Sequence, residues 1–170
     1  HIPTTEYRQV IIGLIFLRYI SNAFDKKYQE LKDEGDGFED DRDAYMMENI
    51  FFVPEEARWN VISANAHSPE IGIVIDKAMR TIEAENKTLK GVLPKNFANP
   101  ELDKRVLGDV VDIFTNIDMG DIEESKDLLG RTYEYCIAQL ASHEGKGGGE
   151  FYTRSCVVKT IVEVLKPFSN

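Results

Sequence analysis

The sequence predicts an all-α fold, a helical bundle of about five to six helices, on three observations. Apolar residues recur at steps of three and four through most of the 170 residues. No stretch alternates at period two, and neither an internal repeat nor a strand–helix–strand rhythm is present. Capping residues and Gly or Pro stops then punctuate the periodic stretches into separate helices.

From residue 5 to about 33, Tyr7, Val10, Leu14, Leu17, Ser21, Phe24, Tyr28 and Leu31 trace one stripe, so a long amphipathic helix is expected there. Thr4 or Thr5 caps its start, and Gly35 and Gly37 end it. A shorter helix fits residues 41–50. FFVPEEARWNVISAN follows as a less regular stretch in which Trp59 is expected to anchor the core.

Ser68 followed by Pro69 reads as a helix start, because the hydroxyl caps free amides and proline's missing N–H costs nothing in the first turn. The stripe Ile71, Val74, Ile75, Ala78 and Ile82 continues from it. Pro94, Asn96, Asn99 and Pro100 mark a loop, and a helix over residues 100–115 places Leu102, Val106, Val110, Ile113 and Phe114 inward. After the polar break at 118–124, Ser125 opens a helix with Leu129, Tyr133, Cys136, Ile137 and Leu140 on one face. A last helix over 155–165, capped by Ser155, turns Val158, Ile161, Val162 and Leu165 inward and stops at Pro167. The chain halts three residues later, as a natural domain or a piece cut before a further strand would.

Composition narrows the function classes. With 42% hydrophobic and 29% charged residues the chain has the balance of an ordinary globular protein. Its best apolar run, residues 10–20, contains Arg18 and falls short of the ~20 residues a membrane span needs. The expected location is the cytoplasm. Cys136 and Cys156 lack a CxxC partner or a nearby His pair and are expected as buried thiols. His1, His67 and His143 are scattered, so neither a metal site nor a catalytic triad follows from them.

A formal charge of −10 opposes a domain that wraps DNA by itself, since duplex binding is driven by cations displacing counterions from phosphates. The acid is concentrated: residues 33–56 hold ten acids against Arg42 alone, and a solvated loop is expected there. Calcium ligation is disfavoured, because the spacing of a calcium loop is missing. Any DNA contact should then come from a local basic face. One group is Arg8, Arg18, Lys26 and Lys27; another is Lys87, Lys90, Lys95, Lys104 and Arg105. Both groups read equally well as solvated helix faces.

Near the end, GKGGGEFYTRSCVVKTIVEVLKP runs from a glycine-rich stretch through two aromatics and a hydroxyl into a helix. Free amides and the positive helix end favour a carboxylate or phosphate at such a place, with Thr153 to Cys156 as donors. Phe151 and Tyr152 can pack against a flat ring or pin the loop to the bundle. A flexible connector ending in a capped helix is the competing reading, since neither a P-loop nor GxGxxG is present.

The GGEFYT segment with its following helix resembles the entry to the catalytic domain of adenine-N6 DNA methyltransferases, specifically the modification subunits of type I restriction-modification systems. EYRQVIIGLIFLRYISNAFDKKYQEL, FFVPEEARWN and DLLGRTYEYCIAQLA resemble, in matching order, stretches of the same subunits' N-terminal helical domain. The resemblance covers essentially the whole chain. It implies a helical domain over residues 1–142, then the glycine loop and first helix (143–170) of a Rossmann-like domain that continues past this chain. By position, Glu150, Phe151, Tyr152, Thr153, Arg154 and Ser155 would contact S-adenosylmethionine. The family usually carries proline where this chain has Arg154, which removes a fixed φ from the first turn. No catalytic residue is expected within this chain, because the Asn-Pro-Pro-aromatic motif that holds the extruded adenine is not in it.

The resemblance further implies that the parent methylates adenine N6 at a site chosen by a specificity subunit. Its partners would be DNA, that subunit, a second modification subunit and the restriction subunit, and this domain would help clamp DNA and assemble the complex. A non-catalytic helical protein-interaction domain is the alternative.

Overall fold

A computed structural model describes residues 4–91 and 93–119, with side chains from residue 9 onward. Among them the fold is all-α. Its helices are α1 (Thr4–Glu34), α2 (Arg42–Met46), α3 (Trp59–Ala64), α4 (Ile71–Glu85) and α5 (Lys104–Thr115), with short 3-10 turns at Phe38–Asp40, Glu55–Ala57 and Lys87–Leu89. None of these helices is long and apolar enough to cross a membrane. The helices expected over 125–143 and 155–165, both cysteines and residues Glu150 to Ser155 lie outside the described residues.

α1 is the axle of the bundle. Between Val10 and Phe24 its residues Ile11, Leu14, Ile15, Phe16, Leu17, Tyr19, Ile20 and Ala23 are all buried, so this half is covered nearly all round rather than along one stripe. The single-stripe expectation fails here because α3 and α5 both pack on the helix, and Pro94, Phe97 and Met79 close on it at Gly13. Past Phe24 only Leu31 is buried, and the helix runs out as an amphipathic arm with Tyr28 half-buried. Gly35 and Gly37 end it, both in the left-handed region at φ 75° and 81°, which glycine enters without a Cβ clash.

The acidic segment is pinned rather than a free solvated loop. Tyr45 of α2 is fully buried and stacks on Phe24 at 4.7 Å, and Phe52 meets both rings edge-on at 5.1 and 5.4 Å. The Tyr45 hydroxyl donates to the Glu39 carbonyl at 2.6 Å. The acids stay outside while these aromatics reach in. α2 itself is shorter than the expected 41–50 helix, since Asn49 adopts a left-handed conformation at φ 59° and turns the chain.

Trp59 is 4% exposed, as the core role expected of it requires. Its backbone amide donates to Ser21 Oγ at 2.7 Å, so a hydroxyl from the axle caps the start of α3. Its indole N–H donates to Thr115 Oγ1 at 2.9 Å on α5. One residue thus ties three helices together.

α4 begins at Ile71, slightly later than Ser68–Pro69 suggests. The Ser68 hydroxyl instead accepts from the Glu70 amide at 3.1 Å and shapes the turn before the helix. Ile71, Ile75, Ala78, Met79 and Ile82 are fully buried, with Val74 partly so. Asp76 is buried with them, and its carboxylate accepts from the amides of Phe97 (2.9 Å) and Ala98 (3.0 Å), fastening the 93–103 loop to the helix. Contact there is close: a Cβ on Gly72 would stand 2.2 Å from the Phe97 carbonyl oxygen. α5 starts at Lys104 instead of residue 100, capped by Asp103, whose carboxylate accepts from the Arg105 amide at 2.9 Å. Leu107, Val110, Val111 and Phe114 face inward, whereas Ile113, expected among them, is 37% exposed at the edge of that face.

Candidate nucleic-acid interface

A surface that binds a polyanion needs cations that no neighbouring acid neutralises. Sorting the described basic side chains by their partners locates such a surface. Arg18 is a part-buried strut: its Nε donates to the Phe114 carbonyl at 2.9 Å and Nη2 to that of Ile117 at 3.2 Å, closing the C-terminal end of α5. Burial lowers its basicity, an effect that the nearby Asp25 carboxylate opposes. Lys27 pairs with Glu48, which raises its pKa. Arg42 pairs with Glu85 at 2.5 Å, and Arg58 donates to the Val53 carbonyl at 3.1 Å while lying over the Phe24 ring.

The second expected group splits. Lys95 pairs with Glu83 at 2.8 Å, and Lys104 donates to the carbonyls of Asn99 (2.7 Å) and Leu102 (2.8 Å). Both serve the loop ahead of α5. Burial pushes the Glu83 carboxyl up, but bonds from Lys95 and from the Leu93 and Gly91 amides outweigh it and hold it below the usual carboxylate range. Arg105 is solvent-facing, 3.9 Å from the Asp103 carboxylate. Lys87 and Lys90 are exposed and have no ion pair among the described residues. The side chain of Arg8 falls outside the described set, and Lys26 is exposed.

Two residues absent from the sequence-derived groups complete the picture. Lys77 and Arg80 are exposed on α4 and likewise have no ion pair or side-chain hydrogen bond among the described residues. Steps of four and three from the exposed Ile73 through Lys77 to Arg80 put them on one outward stripe. The acids of α4 do not cancel it. Asp76 is turned inward, Glu83 serves Lys95, and Glu85 serves Arg42. Lys77 and Arg80 therefore give α4 a basic stripe on a domain whose acid is gathered at 33–56, while Lys87 stands past the helix end in the wall of a cavity that Arg42 and Phe52 also line. The signal was in the sequence: within a helix whose apolar stripe is clear, the cations on the opposite side are the ones to test.

His67 Nε2 lies 2.7 Å from Asp112 Oδ2, and ligand atoms of His67, Asp109 and Asp112 fall within 4.8 Å of one another, a proximity the sequence does not reveal. With His67 70% and Asp112 44% exposed, this is an open surface contact without the buried supporting bonds that hold metal ligands in place.

Over the described residues the architecture defines an all-α helical module. Residues 2–114 match the family model described as HsdM N-terminal domain, and this chain belongs to that family, the N-terminal domain of type I restriction-modification methylase subunits. Residues 124–170 match the model described as N-6 DNA Methylase. Among curated relatives, the chain is 34% identical to the type I restriction enzyme MjaIX methylase subunit of Methanocaldococcus jannaschii, over 94% of this chain and 32% of the relative. It is 28% identical to the HindI methylase subunit of Haemophilus influenzae, over 69% and 31% of the two chains, and 24% identical to the MpnII methylase subunit of Mycoplasma pneumoniae, over 91% and 34%. The chain spans about a third of the length of these relatives.

Proposed function

We propose that this chain is the N-terminal part of a subunit that transfers a methyl group from S-adenosylmethionine to adenine N6 in DNA, at a sequence chosen by a specificity subunit. One observation carries the reading: a match to the N-terminal domain model up to residue 114 is followed, in family order, by a match to the methylase model from residue 124. The helical domain over 1–142 helps hold DNA and assemble the complex, and residues 143–170 begin the catalytic domain. The enzyme works in the cytoplasm.

Within that reading, Lys77 and Arg80 of α4, with Lys90 beyond it, meet the DNA backbone, supported by their exposure and lack of partners. Glu150, Phe151, Tyr152, Thr153, Arg154 and Ser155 form one wall of the cofactor site. Hydroxyls and amides at a helix start suit the carboxylate of the cofactor's methionine moiety, and Arg154 adds a cation where the family has proline. S-adenosylmethionine supplies the electrophilic methyl group; the residues of this chain hold and orient it. Transfer itself requires the adenine-binding motif of the continuing chain, so this chain alone is inactive.

The test is methyl transfer from labelled S-adenosylmethionine to DNA by the complete subunit assembled with its specificity subunit. Label at adenine N6 is expected. Incorporation at cytosine, or none by an assembled complex that binds both ligands, overturns the assignment.

A further inference from the structure

The acidic end of the domain carries an apolar site that the methylase reading leaves unused. Met46 is 69% exposed, Met47 83% and Phe38 51%, three large apolar side chains within a segment otherwise rich in carboxylates. Leaving such groups in water is unfavourable, and methionine adapts to the shape of a partner. Beside them, between the end of α2 and the end of α4, lies a cavity of about 530 Å3 walled by Met46, Ile50, Phe51 and Phe52.

The cavity is preformed. Asn86, at its back, accepts from the Phe52 amide at 3.0 Å and donates to the Phe52 carbonyl at 2.9 Å. Arg42 lies 4.3 Å from the Phe52 ring centre and is tied to Glu85, which also lines the cavity. A pocket fixed this way receives an apolar side chain without first paying to order its own walls.

Charge selects the occupant. Of the ten acids between 33 and 56, Glu48 alone forms a salt bridge among the described residues, with Lys27, while Arg42 is already neutralised by Glu85. Asp41, Asp43 and Glu48 flank the two methionines on α2 and its exit. The α2 side therefore repels phosphate and attracts cations, and only the opposite rim, at Lys87, is basic. A nucleic acid fits the α4 stripe but not this face. A free cation would make no use of the methionine wall.

We infer that this face docks a basic segment of another protein subunit of the assembly, which inserts a large apolar side chain between Met46 and Phe52 and sets its lysines or arginines against α2. The inference rests on the reading of the chain as part of a multi-subunit methylase. It assigns the acidic and basic faces of one small domain to two different partners.

The experiment uses the complete methylase subunit assembled with its partner subunits on DNA, with a photo-cross-linking amino acid in place of Met47. The expected adduct is to a peptide of another subunit in which lysines or arginines flank an aliphatic or aromatic residue. An adduct to DNA, one only to a second copy of the methylase subunit, or no adduct overturns the proposal. Independently, the double variant Met46→Glu, Met47→Glu should weaken assembly by about tenfold or more, and unchanged affinity overturns it. Both positions are exposed, so folding is not at stake. S-adenosylmethionine binding by the unassembled subunit separates the two readings: its absence in the wild type sinks the methylase assignment, whereas its retention in the double variant leaves that assignment standing whatever happens to docking.

Discussion

Arg18 and Phe114 stand 96 residues apart, yet the guanidinium Nε of the first donates to the backbone carbonyl of the second at 2.9 Å. With the companion bond to Ile117 at 3.2 Å, the side chain closes the last turn of α5 from the middle of α1. Replacing it by methionine keeps much of the stem but strands both carbonyls. Urea unfolding of Arg18→Met should show a loss of about 1–3 kcal/mol, the cost of leaving buried polar groups unpaired. The salt dependence of DNA binding by the assembled enzyme should not change, because the guanidinium is already committed to these two carbonyls.

That same contact shows where sequence reading stops. The periodicity of α1, its glycine exit, the apolar stripe of α4 and the burial of Trp59 are local or compositional facts, and they were legible. Arg18 was placed with the surface cations because nothing within a few residues betrays a partner 96 positions away. Asp76 is alike: in the sequence it is one more acid on a helix, and in the fold it anchors two amides of a loop 21 and 22 residues on. Tyr45 and Phe52 sit among so many carboxylates that the segment reads as solvated, and only their packing on Phe24 explains why it is fixed. The α4 stripe was legible but missed, since Lys77 and Arg80 lie opposite the apolar residues Ile71, Ile75, Ala78 and Ile82.

Gly72 and Gly108 are under a different constraint from the glycines that end α1. Each sits inside a helix where a Cβ would come within 2.2 Å of a carbonyl oxygen, that of Phe97 for Gly72 and that of Ala66 for Gly108. Neither oxygen is the end of a flexible side chain, and the Phe97 segment is held by Asp76. Alanine favours helix by itself, but here it forces backbone apart. Gly72→Ala and Gly108→Ala should each destabilise the domain by about 1–3 kcal/mol in urea unfolding. A neutral or stabilising result would mean that these helices do not approach their neighbours so closely.

Tyr45 gives the domain an alkaline signature. Burial pushes its phenol from an ordinary value near 10 up to about 12. The folded state then keeps its proton over a range in which the unfolded chain releases it. This contribution is complete below pH 10 and is lost as pH rises toward about 12. Other tyrosines and lysines titrate there too, so the informative quantity is the difference between wild type and Tyr45→Phe. Measured by urea unfolding from pH 9 to 12, the wild type's advantage should shrink at the alkaline end. A constant difference would show that the phenol ionises without cost.

The basic face on α4 predicts which lysines matter for DNA. Phosphate neutralisation by a cation releases counterions, so each lost contact reduces the slope of log affinity against log salt by about 0.9. Lys77→Gln with Arg80→Gln should therefore flatten the slope of the assembled enzyme by about 2, and weaken binding to specific and non-specific duplex alike. Lys95→Gln with Lys104→Gln removes the same charge from residues engaged with Glu83 and with the carbonyls of Asn99 and Leu102. That pair should lower stability and leave the slope in place. Filter-binding or anisotropy titrations between 50 and 200 mM salt, roughly the range over which such contacts are most visible, distinguish the two. If the second pair flattens the slope and the first does not, DNA lies against the α5 end of the domain, and the uncancelled charge on α4 is only a solvated face.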